Sequence, residues 1–236
     1  MTHVLGVDGC RGGWCVVAID THTHEILDAG VSPNFDSVLA LPSEVLCVDI
    51  PIGLLDRPGR RACDVEAGRL LGRRRASSVF PPPSRRGLSF ADYRTASDTN
   101  FQVTGRRLSK QSFNITPKIR QVDERLNSQM QERVLEVHPE LCFWALNACS
   151  PVMSKKSRVG GRIERWEMLR RYLPALAPSP PPRSELPEGC RPDDYLDALV
   201  CAWTAVCVVR GKARRIPAQP ESDGRGLRME MWFPAP

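Results

Sequence analysis

Three short apolar runs stand at the start of the chain, Val4–Val7, Trp14–Ile19 and Ile26–Val31, separated by turns too short to hold a helix. The glycine-rich segment Gly9–Gly13 separates the first two, and the polar stretch His22–His24 the second two. A parallel pair needs a crossover of about a dozen residues or more, so three runs so closely spaced must pair antiparallel. A short amphipathic stretch, Phe35–Leu41, then precedes a fourth run, Val45–Ile50, which ends at Pro51 because proline cannot donate to a ladder. Helix between strands three and four makes the next pairing parallel. The opening fifty residues therefore predict an α/β fold whose sheet is antiparallel first and parallel afterwards.

The remaining elements follow from period. Asp64–Arg75 reads as a helix with Val65, Leu70 and Leu71 turned inward. Thr116–Pro117 places a capping hydroxyl before a proline, and Ile119, Val122, Leu126 and Met130 continue a helical face. Arg133–Val137 is a short strand, and Pro139 opens a helix to Leu146. Gly161–Leu173 carries Ile163, Trp166 and Leu169 on one face. A proline-rich connector over 174–192 leads to a helix from Asp193 to about Val209, apolar nearly all round and so expected to be buried. Leu227, Met229, Met231 and Phe233 alternate as a closing strand.

Charge is unevenly distributed. The net charge is +6, with a pI near 9.0. Residues 57–110 alone carry 13 basic and 4 acidic side chains, leaving −3 for the rest of the chain. A basic segment over 57–130, inserted in a single domain of residues 1–236, is the expected organisation. Its arginines, with Arg11 in the glycine turn, are candidates for holding phosphate: Arg73, Arg74, Arg75, Arg85, Arg86 and, further on, Lys118. Charge patterning equally allows a solvated, arginine-decorated surface. The nine cysteines show no CxxC spacing and mostly lie in apolar stretches. With no secretory pattern in MTHVLGVDG, they suggest a reduced, cytoplasmic chain without a zinc centre.

The chemistry-bearing feature is where the acids fall. Asp8 ends the first strand, Asp49 lies inside the fourth, and Glu136 lies inside the later short strand. Asp193, Asp194 and Asp197 crowd the first turn of the buried helix, with His138 just beyond Glu136. Carboxylates among β-branched residues are expensive unless paired or bound to a cation. If the strands are neighbours, these acids converge, and an all-oxygen ligand set suits Mg²⁺ or Mn²⁺. Two such ions about 4 Å apart activate water and stabilise the leaving oxygen of a phosphodiester. Each acid also has a plainer role: Asp8 capping the glycine turn, Asp193 as helix N-cap, Asp194 answering the helix dipole, Glu136 paired with an arginine.

Five segments in order carry a family resemblance: VDGCRGGW at 7–14, DIPIGL at 49–54, SSVFPPP at 77–83, EVHPE at 136–140 and DDYLDA at 193–198. Together they resemble the domain-of-unknown-function 429 family, a group of predicted RNase H-like nucleases. The resemblance implies a five-stranded mixed sheet, its first three strands antiparallel, flanked by helices. It further implies metal ligands at Asp8, Asp49, Asp194 and Asp197, catalytic work shared with Glu136, and support from His138 and Asp193. The implied activity is metal-dependent hydrolysis of DNA or RNA. The alternatives are a nucleic-acid-binding module without catalysis and an ATP-dependent phosphoryl transferase of the actin-like type.

Overall fold

β-Branched and aliphatic residues at the start of the chain form the sheet, and the structure, a computed structural model describing residues 3–236, follows that pattern closely. The strands are β1 (His3–Cys10), β2 (Gly13–Asp20), β3 (Ile26–Ser32), β4 (Leu46–Asp49), β5 (Val134–Glu136), β6 (Ala213–Ile216) and β7 (Met231–Pro234). The helices are α1 (Phe35–Leu39), α2 (Ala62–Arg75), α3 (Tyr93–Thr104), α4 (Lys110–Asn114), α5 (Thr116–Arg125), α6 (Pro139–Leu146), α7 (Val159–Arg170) and α8 (Pro192–Val209). No described helix is long and apolar enough to cross a membrane.

The chain divides into two compact units. The first comprises Met1–Asp49, Arg133–Arg214 and Trp232–Pro236. It holds a five-stranded sheet in the order β3-β2-β1-β4-β5. β1 pairs antiparallel with β2, and β2 with β3, whereas β4 runs parallel to both β1 and β5. This is the mixed sheet expected from turn length and helix placement. A two-residue turn at Arg11–Gly12 joins β1 to β2. α8 is buried almost throughout, as its all-round apolar sequence requires.

Gly6 sets how closely that helix approaches the sheet. A Cβ on Gly6 would collide with the backbone of Ala198 and Ala202, so only glycine lets α8 lie directly on β1. Asp197 directly precedes Ala198 at this contact, and its carboxylate comes within 4.8 Å of those of Asp8 and Asp49.

The second unit comprises Ile50–Glu132 and Arg215–Met231, and holds α2–α5. The segment 57–130 lies wholly inside it. α2 buries Cys63, Asp64, Ala67 and Leu71, whereas Val65 is exposed, so its inward face is rotated from the one the leucine spacing suggested. Gly72, at φ 68°, interrupts the helix before the arginine run. α5 ends at Arg125, and Thr116 does not cap it; its hydroxyl donates back to Ser112 O (3.3 Å). In the first unit, α7 similarly buries Arg165, Trp166 and Leu169 while Ile163 stays exposed.

Candidate metal centre

Parallel pairing of β1 with β4 makes Asp8 and Asp49 register partners at the strands' C-terminal ends. Neighbouring residues in register project from the same face of a sheet. Gly6, two residues earlier on β1, is the contact point for α8, so that shared face is the one the helix covers. Asp197 reaches into the same place. One carboxylate oxygen from each of Asp8, Asp49 and Asp197 lies within 4.8 Å of the others. Asp8 and Asp197 are buried and Asp49 is half-buried.

Three carboxylates so close in so little water resist ionisation. Burial first, then Asp49 and Asp197, hold Asp8 well above the usual carboxylate range. Burial likewise raises Asp49, opposed by the nearby His138 and Lys156. Asp197 is pushed up to about 7, chiefly by burial, although Lys156 pulls the other way.

Lys156 is the residue that sequence patterning missed. Its Nζ donates to Asp197 Oδ2, and Asp8, Asp49 and Asp197 together raise its pKa. It lies in a loop without hydrophobic period, so nothing in the sequence ties it to the acids. Buried Arg165 anchors that loop, donating to Ser154 O (2.9 Å) and Gly161 O (3.0 Å) and to both oxygens of Glu140 (2.8 and 2.9 Å).

The other sequence candidates are placed differently. Glu136 is in register with Val48, not with Asp49, so strand alternation directs it to the opposite face from the three aspartates. Asp194 serves the helix start, its Oδ2 accepting from Arg191 N (2.9 Å), and burial raises its pKa. The N-cap of α8 is Arg191 rather than Asp193, because Pro192 takes the first helical position. His138 stands at the start of α6, close enough to Asp49 to favour its ionised form.

The basic candidates separate too. Arg11 is exposed at the β1–β2 turn, where Gly12 N–H donates to Gly189 O (3.3 Å), so the turn rests on the segment leading into α8. Arg73, Arg74 and Arg86 are exposed; Arg75 and Lys118 are half-buried. Arg85 is committed elsewhere, its guanidinium bridging Asp56 (3.0 Å), Asp123 (3.0 Å) and Asp223 (2.5 Å). Three carboxylates leave it no open edge for phosphate, which corrects the expectation drawn from charge alone.

The family model described as Protein of unknown function (DUF429) matches residues 6–222. The chain belongs to the DUF429 family. No curated protein and no solved structure matches this DUF429 chain.

Whether a divalent cation suits the site is tested by its donors. They are all carboxylate oxygens, the set that hard cations prefer. Asp197 Oδ1 is buried and has no hydrogen-bond partner among the described residues, which is costly unless a cation completes it. Lys156 sets one cation against these acids through its hydrogen bond to Asp197. The residues of this DUF429 protein therefore form an acidic group able to hold a metal ion.

Proposed function

We propose that this protein is a divalent-metal-dependent nuclease that hydrolyses phosphodiester bonds in nucleic acid. The observation that carries the reading is the meeting of Asp8, Asp49 and Asp197 from β1, β4 and α8, with the buried Asp197 Oδ1 left without a partner.

Asp8, Asp49 and Asp197 would hold Mg²⁺ or Mn²⁺. Such an ion, when bound, supplies charge neutralisation on a phosphodiester and acidification of water. Gly6 seats α8 so that Asp197 meets the two strand acids. Lys156 directs its ammonium N–H at Asp197 Oδ2 and balances part of the negative charge. His138, at the start of α6, stands close to Asp49 and favours its ionised form. A second ion, as in two-metal hydrolysis, would draw on Asp194, whose Oδ2 already accepts from Arg191 N–H. Glu136, on the other face, takes no part in this centre.

The test is cleavage of single-stranded, duplex, hybrid and branched substrates with Mg²⁺ or Mn²⁺, with Asp8→Asn as control. Metal-dependent cutting that the variant loses supports the reading; metal binding with no cutting of any substrate sinks it.

A second reading is a nucleic-acid-binding module without catalysis. The Lys156–Asp197 ion pair favours it, since it offers the acids a counter-charge from within the chain. In that case nucleic-acid binding persists unchanged in Asp49→Asn and falls steeply with salt.

A further inference from the structure

The second unit contains a cavity of about 230 Å³ whose wall carries four arginines, Arg60, Arg61, Arg106 and Arg107, against one acid, Asp64. None of these arginines is among those that charge runs picked out. Two are locally neutralised. Arg61 is buried and its Nε lies 3.7 Å from Asp64 Oδ1, while exposed Arg107 pairs with Asp98 and lies over the Phe101 ring. Arg60 and Arg106 are exposed and have no ion-pair partner among the described residues. The cavity is therefore left with uncompensated positive charge from two sides.

Its walls are fixed rather than loose. α3 ends at Gly105 in the left-handed conformation, and the chain then turns into Arg106. Buried Asn100 donates to Arg106 O (2.7 Å), and Arg106 N donates to the Thr104 hydroxyl (3.2 Å). Leu108 is held on both sides, its N–H donating to Ser97 Oγ (3.2 Å) and its carbonyl accepting from Tyr93 Oη (2.8 Å). The other arm is tied to the same point, because Gly59 N–H donates to Thr104 O (3.1 Å). Arg60 and Arg106 thus project from two backbone segments joined through Thr104. Solvated arginines on an ordinary surface need no such bracing. These bonds fix the backbone from which the two guanidinium groups extend, and a guanidinium's planar fork of donors matches the oxygens of phosphate.

We infer that this cavity is a phosphate-binding site, and that its ligand is a backbone phosphate of a nucleic-acid strand. The identity of the strand rests on the nuclease reading; the phosphate chemistry does not. A free polyphosphate presents the same oxygens, so the experiment separates the two sources.

Binding of labelled single-stranded DNA and RNA 20-mers is measured by anisotropy in EDTA between 50 and 200 mM salt, so that the aspartate centre plays no part. In a second arm, inorganic pyrophosphate is titrated in a thermal-shift assay. R60A/R106A should weaken oligonucleotide binding about tenfold and flatten the log–log salt slope by about 1.4, two single-strand phosphate contacts. R60K/R106K should keep most of the slope while losing affinity, because charge remains and the fork is gone. R171A/R183A, which removes two exposed arginines of the first unit, should change affinity no more than about twofold. A pyrophosphate-induced stabilisation lost in R60A/R106A, without oligonucleotide binding, keeps the phosphate site and overturns the nucleic-acid strand as its ligand. Wild-type responses retained in R60A/R106A, or a wild type that answers neither probe, overturn the site itself. Metal-dependent cleavage has no bearing on these outcomes, so failure of the nuclease reading is seen separately.

Discussion

Asp8 and Asp49 stand side by side as register partners on parallel β1 and β4, under a helix that adds Asp197 to the pair. Like charges at that spacing oppose folding when no cation is present. Asp8→Asn should therefore raise the melting temperature of metal-free protein at pH 8, by about 2–4 °C for roughly 1 kcal/mol of relieved repulsion. The same variant should lose stabilisation by Mn²⁺. Thermal scans with EDTA and with Mn²⁺ check both halves; a lower metal-free melting temperature would show that Asp8 is a structural acid.

Protonation gives a related expectation. Asp197 is pushed up to about 7 in the folded protein, mainly by burial, against roughly 3.9 for an ordinary aspartate. Between those values the folded chain holds a proton that the unfolded chain has released. Stability from this group is therefore lost as pH rises from about 4 through 7, and is level above that. Asp8 and Asp49, also raised, act in the same sense. Asp223 is lowered by its bonds from Leu54 N–H and Arg85 and works oppositely, losing its contribution as pH falls below about 4. Metal-free protein should melt lower at pH 7.5 than at pH 5, and Asp197→Asn should flatten the decline. A divalent ion should stabilise more at pH 8 than at pH 5.5, because protons compete for the same oxygens.

Lys156 is the internal counter-charge of this site, through its bond to Asp197. Lys156→Met should lower the metal-free melting temperature at pH 8 and enlarge the rise produced by Mn²⁺. Equal Mn²⁺ shifts in variant and wild type would mean that the lysine does not balance these acids.

Much of this was readable from residue order, and the exceptions have physical causes. The sheet was legible because short turns leave β1–β3 no option but antiparallel pairing, and Pro51 stops β4. Asp8 and Asp49 were legible because a carboxylate among Val, Cys and Ile needs a reason to be there. The face of Glu136 was not, since it depends on which residue of β4 it meets, and a shift of one reverses it. Asp194 and Asp197 looked equivalent three residues apart, yet the start of α8 claims the first and the sheet the second. Lys156 lies in an aperiodic loop, and the acids that surround Arg85 are 29, 38 and 138 residues away in sequence. Contacts over such separations leave no local pattern.

Gly6 is the point on which the site's geometry turns. Gly6→Val places a side chain into the backbone of Ala198 and Ala202 and must push α8 off β1. The expected loss is about 3 kcal/mol or more, read by urea denaturation, together with loss of Mn²⁺ binding. Unchanged stability would contradict the close packing of helix on strand.

Glu140 and Arg165 form a buried two-bond ion pair beneath the loop that carries Lys156. Glu140→Ala strands the guanidinium and should cost about 3–5 kcal/mol, whereas Glu140→Leu combined with Arg165→Met should cost less than Glu140→Ala alone. Denaturation of the two variants distinguishes a pair that supports the fold from one that contributes nothing.

The most direct test of the aspartate centre is a crystal soaked in Mn²⁺ and measured for anomalous scattering. A peak bound by Asp8, Asp49 and Asp197 is the predicted result. No peak there at millimolar Mn²⁺, with Lys156 still on Asp197, would contradict it.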